Sequence, residues 1–98
     1  MSEKAADCRT MAEIRDNIDR IDRALMDLFA ERWTFIGRAA EIKAELGLKA
    51  DIPARVDEVR NNARENALAR GLDGDFYDGL WAQLIRHSIE HEEVTLGK

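Results

Sequence analysis

The sequence predicts an all-α fold of three helices, the first of them very long, closed into an intertwined homodimer. Three observations carry this. Apolar residues at Met11, Ile14, Ile18, Ile21, Leu25 and Leu28 alternate steps of three and four, the pattern of a helix seam. With a single proline, and glycines mostly between periodic segments, strands have little support. The third observation is length. The seam resumes at Phe35, Ala39, Ile42 and Leu46, giving a helix of roughly 36 residues and about 54 Å. A compact domain of this size is only about 34 Å across. The overhang needs a cover that two shorter helices cannot provide, and a second copy of the chain is the simplest one.

The first helix is expected over Met11–Leu46, with Gly47 as its stop and a loop to Ala50. Asp51-Ile52-Pro53 restarts a helix, with Asp51 as a cap and proline tolerated in the first turn. Its thin stripe is Val56, Val59, Ala63 and Ala67, and it ends at Arg70-Gly71. Asp73-Gly74-Asp75 caps the third helix, which carries Phe76, Leu80, Trp81, Leu84, Ile85 and Ile89. There are no internal repeats. The 98 residues read as one domain, with residues 1–10 as a frayed N-terminus.

Hydrophobic content of 45% and charged content of 36% describe a water-soluble helical protein. A net charge of −5, with no basic stretch, argues against nucleic-acid or anionic-membrane partners. No apolar run approaches the roughly 20 residues of a membrane span. Met1 to Thr10 lacks a signal-peptide core. One cysteine permits no internal disulfide. A cytoplasmic, metal-free protein is expected.

Arg32 occupies a position of the seam where an apolar residue belongs. A guanidinium there loses several kcal/mol of hydration unless an anion meets it. Three turns further on the same face comes Lys43, so an anionic ligand is expected between two cations. Arg15 lies roughly 25 Å from Arg32 along the axis. It is either an ordinary surface residue or part of the other subunit's pocket. Taken singly, Arg15 and Lys43 read as solvated, and Arg32 is equally explained by pairing with Glu31 or Asp27 across a dimer. Ser88 and Glu92, spaced i, i+4, carry the stripe of Trp81 and Ile85 into polar territory; a helix reaching solvent would look the same. His87 and His91 share that spacing, but no third ligand is placed, so solvated histidines are favoured over a metal site. Trp33 and Trp81 read as core or interface, and Cys8 suggests no chemistry.

Together, Ala12-Glu13-Ile14-Arg15, Ile18-Asp19-Arg20-Ile21-Asp22, Ala30-Glu31-Arg32, Lys43 and Ile52-Pro53-Ala54-Arg55-Val56 resemble the all-helical chorismate mutase family. The resemblance runs from about Met11 to Glu93, and takes in Gly71-Leu72-Asp73 and the Leu84-Ile85 to Glu92 pattern. It implies a homodimer with two sites, each sharing one arginine across subunits. Arg15 would enter the partner's site, and Arg32 would bind a substrate carboxylate within its own chain. Lys43 would contact a carboxylate and the ether oxygen, and Arg55 would lie near the ring. Ser88 and Glu92 would close the site, with Lys43 and Glu92 as the catalytic pair. Two departures stand out. Family mutases commonly place glutamate after the second-helix arginine to grip the ring hydroxyl, where this chain has Val56. Glu92 stands where glutamine is usual. The expected activity is rearrangement of chorismate to prephenate in aromatic amino-acid biosynthesis, without cofactor. The related isochorismate-pyruvate lyases, with their similar Ile-Pro-Ala and Arg-Val pattern, are the alternative; a non-catalytic, metabolite-binding or regulatory helical dimer is a third reading.

Overall fold

The computed structural model describes residues 4–97. A 3-10 turn at Ala5–Asp7 precedes α1 (Met11–Leu46), α2 (Pro53–Leu68) and α3 (Gly74–Thr95), and the described residues contain no strand. Of the N-terminal stretch expected to fray, residues 1–3 lie outside the described ones. The start of α1 is tied down by Thr10 and Glu13. The Glu13 N–H donates to Thr10 Oγ1 at 3.1 Å, while the Arg9 N–H donates to Glu13 Oε1 at 3.2 Å. This reciprocal arrangement satisfies amide donors that a helix start otherwise leaves open.

The chain divides into two compact units, one up to Phe35 and one from Ile36. The first is carried by the N-terminal part of α1. Its seam is exposed: Ile18, Ile21, Leu25, Leu28 and Phe35 all lie open, although the sequence pattern marks them for burial. Burying a leucine or isoleucine side chain contributes about 1.5–3 kcal/mol. That gain is not realised within this unit alone.

The second unit contains the end of α1 and a hairpin of α2 and α3. The α2 stripe narrows to buried Ala63 and Ala67, against α3 with its buried Ile85. Ion pairs set the register. Arg60 Nε donates to Asp78 Oδ1 at 2.7 Å, and Arg64 donates to Asp78 Oδ2 at 2.8 Å and to Asp75. The hydrogen bond from Arg60 holds the Asp78 carboxyl below the usual carboxylate range. The Arg60 charge and the Arg64 contact add to the effect, and burial opposes it.

Two helix ends and one aromatic ring differ from expectation. Asp51 does not cap α2; Ile52 holds the cap position without a side-chain hydrogen bond, and Pro53, lacking an N–H, leaves one donor fewer to satisfy. α2 ends at Leu68, with Gly71 in the left-handed region (φ 72°) and the Leu72 N–H closing on Ala67 O at 2.8 Å. Phe76 is 61% exposed rather than core, lying edge-on to Tyr77. Asp73 caps α3 as expected, accepting from the Phe76 N–H at 3.1 Å.

Candidate functional site

Lys43 sits in the last turn of α1. Gly47, at φ 69°, lets the chain reverse there, and the Leu48 N–H closes on Lys43 O at 2.9 Å. The reversal brings the buried Ala50 back, and its carbonyl accepts from Lys43 Nζ at 3.0 Å. A second bond from Nζ runs to Glu92 Oε1 at 2.6 Å, with side chains 19% and 5% exposed. An ammonium has three N–H donors. Two are used here, and the third has no acceptor among the described residues.

On α3, Ile85, Ser88, Ile89 and Glu92 follow i, i+3, i+4, i+7 spacing and share one face. Ser88 is buried and its hydroxyl donates to Leu84 O at 3.0 Å, which leaves its oxygen able to accept. No buried side-chain nitrogen or oxygen among the described residues lacks a partner. Two isoleucines of the face, with Val56 and Ala82, form the apolar part of a cavity of about 420 Å³. That cavity is not lined by Lys43 or Glu92. The ion pair, with its spare donor, and the cavity are therefore separate features of this unit.

The sequence-derived candidates are thus sorted by the fold. Lys43 and Glu92 are brought together, with Ser88 one turn before Glu92. Arg55 is exposed and pairs at 2.5 Å with Glu58 of its own helix. In the first unit Arg15 is exposed and Arg32 half-buried, and neither forms an ion pair among the described residues. No group of three or more histidine, cysteine, aspartate or glutamate side chains among the described residues is placed to hold a metal ion. The carbonyl of Ala50 went unnoticed in the sequence because backbone acceptors leave no residue signature. The cap by Thr10 and Glu13 also went unnoticed, although the T-x-x-E spacing is its signal.

Residues 14–93 match the family of chorismate mutase type II. The chain is 30% identical over 82 residues to T-protein of Enterobacter agglomerans, covering 84% of this chain and 22% of that protein. It therefore spans about a fifth of that relative's length. It is 35% identical over 88 residues to isochorismate pyruvate lyase of Pseudomonas aeruginosa, covering 88% of this chain and 84% of the relative. With chorismate mutase of Methanocaldococcus jannaschii it shares 32% identity over 78 residues, 80% and 79% of the two chains. The described residues form helices and no strand, the family match runs over most of the chain, and the chain belongs to the chorismate mutase type II family.

Proposed function

We propose that this chain is a chorismate mutase, converting chorismate to prephenate. The observation that carries the reading is the ammonium of Lys43, held by Ala50 O and Glu92 with one donor to spare. The rearrangement is a single cyclic step: the ether C–O bond breaks as a C–C bond forms, and no covalent adduct or cofactor is required. Catalysis then consists of holding the compact conformer and meeting the charge that grows on the ether oxygen. The spare N–H of Lys43 meets it, and Glu92 in its acid form donates a second hydrogen bond. Preorganised donors of this kind are worth about 3–4 kcal/mol each. Holding the reacting ends together contributes several kcal/mol more, roughly 7 at the low end.

The substrate's carboxylates fall to arginines, whose planar fork binds them bidentately. We assign Arg32 to one, Arg15 of a second copy to the other, and Arg55 and Ser88 to closing the pocket around the ring. The homodimer is part of this reading. It is supported by the exposed α1 seam and by the absence of any large fully buried side chain among the described residues. A cytoplasmic location goes with it; no helix among the described residues is long and apolar enough to cross a membrane.

The similarity to isochorismate pyruvate lyase, together with Val56, favours release of pyruvate from isochorismate as the second reading. Adding chorismate to purified protein and following loss of its ultraviolet absorbance tests the first. Prephenate formation is the expected result. Pyruvate release from isochorismate without prephenate formation from chorismate moves the assignment to the lyase, and inertness toward both leaves a binding protein.

A further inference from the structure

Ala50 is a buried residue in an exposed stretch of chain. Every other residue from 44 to 55 is exposed, whereas Ala50 is 5% exposed. The backbone around it is thinly bonded. The turn at Gly47 closes with the Leu48 N–H on Lys43 O, and bonding resumes with the Arg55 N–H on Ile52 O at 2.9 Å. Between these, the bond from Lys43 Nζ to Ala50 O at 3.0 Å is the one hydrogen bond made to residues 49–51 among the described residues. Ordering a segment costs backbone entropy, which burial or bonding has to offset. In this segment a buried methyl group and a lysine ammonium do so.

The lysine depends on the segment in turn. Its side chain is a flexible stem that carries three equivalent donors. The bond to Glu92 Oε1 at 2.6 Å, taken alone, is a pivot about which the ammonium turns. A second bond, to Ala50 O, stops that rotation and gives the third N–H a single direction. Direction has chemical consequences: a displacement of about 1 Å at a reacting centre costs up to about 100-fold in rate.

We propose that Ala50 is a positioning residue for Lys43: its buried methyl group pins the segment between α1 and α2, and its carbonyl aims the spare N–H of the ammonium. In the mutase reading, on which the effect on turnover rests, that N–H meets the ether oxygen.

The test replaces the amide between Ala50 and Asp51 by an ester, with residue 51 introduced as its hydroxy-acid counterpart by chemical ligation. An ester carbonyl accepts more weakly than an amide carbonyl, and the N–H removed has no acceptor among the described residues. Every side chain is retained. Two quantities are read on the full chain: exchange of the Lys43 ammonium protons with water, by isotope-edited NMR, and kcat and KM for chorismate. Exchange should quicken by about tenfold, and kcat should fall by about tenfold with KM changed less, because hydrogen bonds to charged groups are the stronger ones. Unchanged exchange overturns the proposal, as does faster exchange with kcat unaltered in a protein that turns chorismate over. If the wild type leaves chorismate intact, the mutase reading fails, while ammonium exchange still decides whether Ala50 orders Lys43. Ala50→Gly loses the pin and keeps the carbonyl; it should quicken exchange in the same way and serves where the ester protein does not fold. Lys49→Ala, at an exposed neighbour, should leave both readings alone. An equal change there would mean that any alteration of the segment disturbs Lys43, and overturns the role of Ala50.

Discussion

Lys43 Nζ and Glu92 Oε1 lie 2.6 Å apart although 49 residues separate them in the chain. The contact ties the end of α1 to the last turns of α3. In the proposed mutase reading, it also places a buried carboxylate beside the ammonium that an anionic substrate reaches. Stability and turnover therefore depend on the same two side chains, but in different ways.

Glu92→Ala removes one partner of a nearly buried pair and leaves the Lys43 ammonium with only Ala50 O. Breaking such a pair costs roughly 3 kcal/mol or more. Glu92→Gln keeps a hydrogen-bonding group of the same size and should lose less. Urea unfolding of the two variants measures the difference. Equal stabilities would mean that the ion pair holds nothing together.

Glu92 is assigned as a hydrogen-bond donor to the ether oxygen, and a glutamine amide of similar size can donate from the same place. Glu92→Gln should therefore keep most of the turnover at saturating substrate, whereas Glu92→Ala should lose roughly 100-fold or more. Equal losses in the two variants would exclude Glu92 as the donor.

Acid should loosen the α2–α3 hairpin through Asp78. Its carboxyl is held below the usual range, chiefly by the hydrogen bond from Arg60. A lowered carboxyl favours the folded state at every pH above the ordinary aspartate range. That contribution disappears as pH falls through the lowered value. Asp78→Asn should reduce stability at neutral pH and flatten the acid limb of a plot of urea midpoint against pH. An unaltered acid limb would assign acid lability to other carboxylates.

Mixed dimers test both the partner and its arginine. Leu25 and Leu28 are 45% and 62% exposed on α1. Leu25→Glu should convert a species of twice the chain mass into monomer in sedimentation experiments, because a buried, unmatched carboxylate costs several kcal/mol. Arg15→Ala and Arg32→Ala should each lower kcat/KM by roughly 100-fold or more, as either leaves a substrate carboxylate without its charged partner. Combined in one heterodimer, they should regain activity, since one of the two sites then receives both arginines. Heterodimers that stay inactive would remove Arg15 from the shared site.

Local periodicity was enough to read the three helices, because steps of three and four place residues on one face wherever the chain later goes. It located α1 at Met11–Leu46 and singled out Arg32, Lys43, Ser88 and Glu92 as residues out of keeping with an apolar face. Periodicity carries no information on what meets that face. That Glu92 reaches Lys43 depends on the reversal at Gly47 and on the register of α3, which Arg60 and Arg64 set by gripping Asp78. Those pairs span different helices, and no spacing rule within one helix anticipates them. The same limit explains why Asp51 looked like a cap and Phe76 like core, when the backbone gives the cap to Ile52 and leaves the ring exposed. Sequence alone determined which residues were chemically out of place, since composition and spacing are local properties. Only the tertiary structure decided which of them meet, because a contact across 49 residues is made by the packing of whole helices.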